Sequence, residues 1–288
     1  MDDKFLSRLN GLMISTRNLA RGKDGGIRRS SAKGSSIEFS DYREYMAGDD
    51  FRHIDWNAYA RFDRLFVKQF MEEKESMVTI FLDASKSMDY GMPNKGALSK
   101  KLAAIFSYIA LSSLDRVIVS TLSNKTQKRS QIFPGKQSFY ESFNIIENIQ
   151  FGGETFITQA IKSAQTLGQG GGISIVISDL FSKDDYREGI DFLLYKKQEV
   201  IILNVLAPQE ITPDLNGSIE LVDSEDDKRL NIIANAAIMR EYRKNVESFF
   251  NENREYFHRR DIHYIPIISD MSLEKIVFHK LFKEGVLR

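Results

Sequence analysis

Residues 78–88, VTIFLDASKSM, contain the pattern that decides the fold of this chain. The run at 78–82 is short, apolar and rich in β-favouring residues, which predicts a buried strand. The polar turn after it has oxygen-bearing side chains at alternate positions, namely Asp83, Ser85 and Ser87. Ligands of an open α/β sheet bind outside the carboxyl ends of its strands, so these side chains are predicted to face a binding site. One carboxylate and two hydroxyls suit a hard cation such as Mg²⁺ better than zinc or copper.

The composition is that of an ordinary globular protein and gives no sign of a nucleic-acid partner. Of 288 residues, 42% are hydrophobic, and 40 basic side chains balance 40 acidic ones. Cysteine is absent, which excludes disulfides, thiolate nucleophiles and cysteine-ligated metals. The N-terminus does not resemble a signal peptide, and every apolar run is far shorter than the roughly 20 residues of a membrane span. We therefore expect a cytoplasmic protein without a membrane span.

The first 76 residues are predicted to form an accessory segment ahead of a main domain at 77–288. A helix is expected over residues 4–21, followed by a basic, Gly- and Ser-rich stretch at 22–36. That stretch is typical of a solvated loop, and a surface for an anionic partner is the alternative. Charged and aromatic residues alternate through 37–62, where Arg–Asp ion pairs would lock the segment onto the main domain or form a binding surface. Residues 64–70 resemble an edge strand.

From residue 78 onwards, strand and helix patterns alternate, which predicts a doubly wound α/β domain with a mostly parallel sheet. A strand near 126–133 follows a tight turn and is expected to be the antiparallel exception. Further strands are predicted at 116–122, 173–178, 200–205 and 262–268, a hairpin at 219–232, and helices at 95–114, 137–148, about 155–167, 184–197, 235–259 and 273–282.

Two more polar positions are predicted to join the turn at residue 83. Thr155 follows a Gly-rich loop that opens a helix, and Asp179 follows the apolar run ISIVIS. If the strands at 78–82 and 173–178 are neighbours, Asp83 and Asp179 end side by side, and the loop bearing Thr155 can reach over them. Three hydroxyls and two carboxylates would then surround one point.

Taken in order, these five residues resemble the metal-ion-dependent adhesion site of von Willebrand factor A domains. That motif is Asp-x-Ser-x-Ser, then a threonine in a Gly-rich loop, then an aspartate after a central strand, and Glu154 is a small departure from its usual Gly-Gly-Thr form. The resemblance implies a von Willebrand A-like fold, a Rossmann-like architecture, that binds Mg²⁺, with Mn²⁺ or Ca²⁺ as alternatives. It also implies a protein-binding module, not an enzyme, in which a partner's acidic side chain completes the shell of the ion.

Residues 43–56, REYMAGDDFRHIDW, resemble a second hallmark, R-x-Y-x-x-G-D-D-x-R-x-I-D-W. This pattern is characteristic of the prokaryotic domain-of-unknown-function family fifty-eight, and the close similarity covers roughly residues 25–90. Members of that family are usually encoded beside MoxR-type AAA+ ATPases. The resemblance therefore implies an adaptor or chaperone-like partnership with such an ATPase and a client protein.

The alternative function is a metal-dependent, phosphatase-like hydrolase that uses Asp83 and Asp179. Phosphatases of the haloacid dehalogenase type need Asp-x-Asp, and Ser85 in the second position cannot act as a general acid near neutral pH. A nucleotide-binding loop is also disfavoured, because GMPNKGALSK at 91–100 lacks the Lys-Ser/Thr pair that such loops require. The four histidines are scattered and have no metal-ligand spacing.

Overall fold

The chain divides into two compact units in the computed structural model. The larger unit comprises Met1–Arg17 and Met77–Arg288, and the smaller one comprises Asn18–Ser76. The predicted boundary at residue 76 counted the first helix with the accessory segment, whereas the structure groups it with the large unit. The predicted basic stretch at 22–36 lies outside the described residues. The structure describes residues 3–15, 38–71, 76–122, 131–164, 167, 171–223 and 228–288.

Helices and strands alternate along most of the described chain. The helices are α1 (Asp3–Leu9), α2 (Trp56–Phe62), α3 (Lys95–Ser112), α4 (Phe139–Glu147), α5 (Ile157–Ser163), α6 (Tyr186–Tyr195), α7 (Pro208–Ile211), α8 (Ala236–His258) and α9 (Leu273–Lys275), which continues as a π-helical turn over Ile276–Leu281. The strands are β1 (Glu38–Glu44), β2 (Phe66–Met71), β3 (Met77–Leu82), β4 (Arg116–Thr121), β5 (Ile132–Pro134), β6 (Gly172–Ser178), β7 (Gln198–Leu206), β8 (Gly217–Val222), β9 (Arg229–Ala234) and β10 (His263–Ile268).

Six strands form the central sheet of the large unit, in the order β10-β7-β6-β3-β4-β5. All neighbours are parallel except β4 and β5, which are antiparallel. Numbered by their sequence within this sheet, the strands have the 3-2-1-4-5-6 order of a doubly wound fold, and that order reverses between β3 and β6. The predicted fold class is therefore confirmed: an α/β fold with a mostly parallel sheet and one antiparallel edge strand.

The sheet separates two apolar cores, because successive side chains of a strand point to opposite faces. Ile80 and Leu82 of β3 enter the core that α1, α3 and α4 cover, whereas Phe81 enters the core beneath α5, α6 and α8. Strand β3 is buried from Val78 to Leu82, as its continuous apolar run predicts for a central parallel strand.

The first helix and the strand at 64–70 differ from their predictions. Helix α1 ends at Leu9, not near residue 21, because Gly11 has a φ of +86° and the chain then turns to extended backbone. Ile14 instead pairs with Leu287 in an isolated antiparallel bridge. The predicted edge strand is β2, which pairs with β1 in a separate two-stranded sheet of the small unit.

The predicted ion pairs form within the small unit. Arg43 donates from both terminal nitrogens to Asp49, each at 2.6 Å, and Arg52 binds Asp50 at 2.7 Å. The Arg43 hydrogen bonds lower the pKa of Asp49 to about 2, with help from the backbone N–H of Met46. These contacts, together with the pairing of β1 and β2, hold the motif at 43–56 inside one unit.

Candidate metal centre

The predicted site lies where β3 and β6 end side by side at the carboxyl edge of the sheet. The backbone N–H of Asp83 donates to the carbonyl of Ile177 at 2.9 Å, so the parallel pairing continues to the residue that bears the carboxylate. The loop before α5 is bonded to the same turn, with Gly152 N–H donating to Ala84 at 2.8 Å and Lys86 N–H to Gly153 at 3.1 Å. Three separate segments thus meet at the point where the strand order reverses.

The carboxylate of Asp83 accepts hydrogen bonds from all three segments. The backbone N–H of Ser85 binds Oδ1 at 3.0 Å, the Thr155 hydroxyl binds Oδ1 at 3.2 Å, and the Ser178 hydroxyl binds Oδ2 at 2.6 Å. The side chain is fully buried. Burial raises the pKa of Asp83, and the nearby charge of Asp179 raises it further, against the opposing effect of these hydrogen bonds.

Ser85 and Ser87 connect this carboxylate to the second one. The two hydroxyl oxygens lie 2.9 Å apart, and the Ser87 hydroxyl donates to Oδ2 of Asp179 at 3.1 Å. Asp179 is fully buried, and its Oδ1 accepts the N–H of Phe181 at 2.9 Å. The structure therefore brings all five predicted residues into one hydrogen-bonded chain that runs Thr155, Asp83, Ser85, Ser87, Asp179.

A buried lysine that the sequence analysis did not single out also contacts this chain. Lys95, at the start of α3, donates to Oδ2 of Asp179 at 2.7 Å and to Oε1 of Glu210 at 2.5 Å. Its side chain is 0% exposed, and that of Glu210 is 18% exposed. Burial alone lowers the pKa of Lys95, but the two carboxylates outweigh it and the net shift is upward, so the amine is an ammonium.

Glu210 holds the short helix α7 beside the site. Its second oxygen accepts the backbone N–H of Ala207 at 2.7 Å, and its carbonyl accepts the Tyr242 hydroxyl at 2.6 Å. Burial raises the pKa of Glu210 despite the opposing charge of Lys95. Because Lys95 and Glu210 are 115 positions apart, no local pattern in the sequence could have paired them.

Two neighbouring strands support the backbone that carries Asp179. Asn204 on β7 donates to the carbonyl of Asp179 at 2.9 Å, and its own side-chain oxygen accepts the Tyr264 hydroxyl from β10 at 2.8 Å. Ser178, one residue earlier, donates to Asp83 and accepts the N–H of Leu180 at 2.9 Å. Polar side chains on three adjacent strands, of which Ser178 and Asn204 are fully buried, thus fix the position of the second carboxylate.

The donor set fits a hard divalent cation. Two carboxylates and three hydroxyls offer only oxygen, the ligand that Mg²⁺, Mn²⁺ and Ca²⁺ prefer. In the part of the chain that the structure describes, no cluster of three or more His, Cys, Asp or Glu side chains could hold a metal ion. Any ion here would therefore depend on the hydroxyls as well as on the carboxylates.

The space beside the site is a shallow depression of about 330 Å³. Its lining contains none of the five predicted residues and comes from the turn after Ser87, from the start of α3, from the end of α4 and from the loop before Thr155. Of the five predicted residues, four are fully buried and Ser87 is half-buried. The lining residues are Asp89, Asn94, Ala97, Lys100, Lys101, Glu147 and Phe151.

A comparison of the sequence with models of known families shows to which family the chain belongs, a question that the motif at 43–56 raised. The family model described as "Protein of unknown function DUF58" matches residues 41–252, which include that motif from Arg43 and all five residues of the candidate site. The chain belongs to the DUF58 family. Among the described residues of this DUF58 protein, no helix is both long enough and apolar enough to cross a bilayer.

Two mycobacterial relatives match this DUF58 chain over most of its length. The uncharacterized protein Rv1480 of Mycobacterium tuberculosis is 23% identical over 230 residues, which cover 78% of this chain and 72% of that protein. The uncharacterized protein Mb1516 of Mycobacterium bovis matches with the same identity and coverage.

The matches among solved structures are more distant in sequence. An aerotolerance-related membrane protein from Bacteroides fragilis is 18% identical with a TM-score of 0.45, over 73% of this chain and 98% of that one. BatB from Bacteroides thetaiotaomicron is 17% identical with a TM-score of 0.43 and the same coverage. The SpRpn10 VWA domain is 9% identical with a TM-score of 0.38, over 72% of this chain and 95% of that one.

Proposed function

We propose that this DUF58 chain is a protein-interaction module, not an enzyme, that recognises an acidic side chain of a protein client through a divalent ion. The observation that carries the proposal is the hydrogen-bonded chain of five residues at the point where the strand order of the sheet reverses. Mg²⁺ is the expected ion, with Mn²⁺ and Ca²⁺ as alternatives. The residues that would hold it are Asp83, Ser85, Ser87, Thr155 and Asp179.

The bound ion would supply an electrophilic centre to which a client carboxylate can bind. The hydrogen bonds of the site orient the hydroxyls for binding a cation. Ser87 gives its hydrogen to Asp179 and Thr155 gives its hydrogen to Asp83, so each hydroxyl would meet a cation with its oxygen and not with its hydrogen. The backbone N–H of Ser85 holds Asp83 in the turn and so fixes the spacing of the two serines.

The burial of Asp83 argues against the alternative hydrolase that uses Asp83 and Asp179. A nucleophilic carboxylate must reach the atom that it attacks. Asp83 is 0% exposed, and protein donors occupy both of its oxygens. Both features suit a carboxylate that orients ligands better than one that forms a covalent intermediate.

The expected partner is a MoxR-type AAA+ ATPase, with the DUF58 chain as an adaptor or chaperone-like component that contacts the client in the cytoplasm. This part of the proposal rests on the family resemblance. A pull-down with the ATPase encoded nearest to this gene tests it, and we expect capture by the wild-type chain. An ATPase that neither binds the chain nor changes its hydrolysis rate when the chain is added would contradict the partnership.

Metal binding itself is tested by titration of the whole chain with Mn²⁺, followed by electron paramagnetic resonance, and by competition with Mg²⁺. We expect saturable binding of one ion, lost in Asp179→Asn and in Asp83→Ala and retained in the matched control Asp214→Asn, whose carboxylate is exposed. Absence of Mn²⁺ and Mg²⁺ binding by the wild-type chain would overturn the proposed function. Hydrolysis of p-nitrophenyl phosphate that requires Asp83 would favour the hydrolase instead.

A further inference from the structure

Lys95 is the feature of the site that the proposed function does not use. It lies at the first position of α3, where the N-terminus of the helix disfavours a positive charge, and its side chain is completely buried. Burying an ammonium has a large desolvation cost unless close carboxylates compensate it. Its contacts with Asp179 and Glu210 provide that compensation, so the three groups form one buried ionic cluster.

The charges of this cluster and of Asp83 do not cancel. Two carboxylates, those of Asp179 and Glu210, contact the Lys95 ammonium, and the carboxylate of Asp83 lies close enough to Asp179 for the two negative charges to repel each other. Their formal sum is −2 when all three acids are ionised, which is the charge that one divalent ion neutralises. Lys95 thus supplies part of the positive charge that a metal would otherwise provide.

The ammonium and the candidate ion would also share a ligand. Oδ2 of Asp179 accepts both the Lys95 ammonium and the hydroxyl of Ser87, which is itself one of the five residues of the site. A cation that binds Asp179 must therefore weaken the hydrogen bond between Lys95 and Asp179. The positive charges of the ion and of the Lys95 ammonium also repel each other at this carboxylate. Glu210 offers a second carboxylate at 2.5 Å that can retain the ammonium.

We propose that Lys95 is a built-in counter-ion that competes with the divalent ion for Asp179, so that the site keeps its structure without metal and binds metal reversibly. The inference deepens the proposed function and rests on it. It gives Lys95 a positioning role, with no contact to the ion: the ammonium holds Asp179 in place while the ion is absent and moves toward Glu210 when the ion is present. Competition of this kind sets the metal concentration at which the module can engage a carboxylate.

The test compares Lys95→Met with Lys4→Met in the full chain. Both substitutions remove one lysine charge from the first turn of a helix, but Lys4 on α1 is exposed and Lys95 on α3 is buried. Without metal, we expect Lys95→Met to have a lower midpoint of thermal unfolding, because Asp179 and Glu210 lose their counter-ion. With Mn²⁺, we expect the dissociation constant of Lys95→Met for the ion to fall at least about tenfold below the wild-type value, because a like charge has been removed from the site. The added ion should raise the unfolding midpoint of Lys95→Met more than it raises that of the wild type or of Lys4→Met.

Each result supports or overturns the inference. Equal or weaker Mn²⁺ binding by Lys95→Met, in a wild type that binds Mn²⁺, overturns the role of Lys95 and leaves the metal site intact. No binding by either protein overturns the proposed function and this inference together. If Lys95→Met does not fold without metal, Lys95→Gln, which keeps a neutral donor to Asp179, replaces it in the titration. For an unfolded Lys95→Met, recovery of the folded circular dichroism spectrum on addition of Mn²⁺ supports the inference. A Lys95→Met chain that stays unfolded with the ion overturns it.

Discussion

Ser178 shows how one hydroxyl can serve two parts of the site at once. It donates to Asp83 and accepts the backbone N–H of Leu180, and it is fully buried. Ser178→Ala should cost about 1–3 kcal/mol in the free energy of unfolding, because a buried N–H loses its acceptor and a carboxylate loses a donor. We also expect weaker Mn²⁺ binding. Urea unfolding and the Mn²⁺ titration measure both effects, and Ser218→Ala on an exposed strand position is the control. An unchanged unfolding midpoint in Ser178→Ala would contradict the stabilising role of the Ser178 hydroxyl.

The Arg43–Asp49 pair in the family motif makes a separate prediction about protonation. The pKa of Asp49 is lowered to about 2 by the hydrogen bonds of Arg43. Because the pKa is lowered on folding, the pair stabilises the folded state fully when the pH is above 3.8, the value of a free Asp carboxyl. This contribution disappears as the pH falls through about 2. In Arg43→Met, carbon-detected NMR titration should show the Asp49 pKa rising toward 3.8. Arg52→Met, which removes the partner of Asp50, should leave the Asp49 pKa in place. An Asp49 pKa that is the same in Arg43→Met and in the wild type would contradict the assignment of the shift to Arg43.

At the scale of elements, the start of α3 is packed tightly against the two loops that carry the site. A Cβ atom added to Gly96 would lie 2.6 Å from the ring of Phe151 and 2.7 Å from the carbonyl of Met88. Phe151 belongs to the loop before Thr155, and Met88 follows Ser87. The helix can therefore approach both loops only because residue 96 lacks a side chain.

Gly96→Ala should destabilise the large unit and weaken Mn²⁺ binding together. Alanine favours the helix by about 1 kcal/mol, but the clash with backbone and ring should cost about 1–3 kcal/mol. Gly152→Ala in the neighbouring loop is the control, since a Cβ there meets nothing within 4 Å. Chemical denaturation and Mn²⁺ titration of both variants provide the measurement. Wild-type metal affinity in Gly96→Ala would show that the two loops tolerate a shift of α3.

Elements with local signals were predictable from the sequence, and those defined by distant contacts were not. Strands β3 and β6 have continuous apolar runs, and helix α3 has a long apolar stretch at helical spacing, so all three lie close to their predicted bounds. The helix expected over 4–21 is too long because Gly11 has a φ of +86° and Ile14 pairs with the distant Leu287. The five-residue site follows a motif in order along the chain, whereas Lys95 meets Asp179 across 84 positions and has no such pattern.

At the scale of the whole molecule, the large unit is assembled from two stretches of chain on either side of the small unit. Leu9 and Ile14 are buried in the core that also contains Val286 and Leu287. Backbone hydrogen bonds between Met13 and Arg288 join the same regions, at 3.0 and 3.1 Å. The small unit is thus an insertion between residues 17 and 77 of the large one.

Leu9→Ala should therefore destabilise the large unit as a core substitution would, although it lies nearly seventy residues before β3. A buried leucine replaced by alanine costs about 2–5 kcal/mol, and Leu9 is 0% exposed. Leu230→Ala, at a position that is 61% exposed on β9, is the matched control and should change the unfolding free energy by less than about 0.5 kcal/mol. Urea unfolding followed by circular dichroism distinguishes the two. Equal unfolding midpoints for Leu9→Ala and the wild type would refute the packing of α1 in this core.

The antiparallel bridge between Ile14 and Leu287 also has a consequence for synthesis on the ribosome. Chains fold as they emerge, and N-terminal parts usually fold first. The first strand of the central sheet, β3, emerges after the small unit, yet the core that receives Leu9 and Ile14 cannot close until the region around Leu287 has been translated. Leu9 and Ile14 therefore stay unburied while the strands of the central sheet are being synthesised, so ribosome-associated chaperones should have a long opportunity to bind at α1.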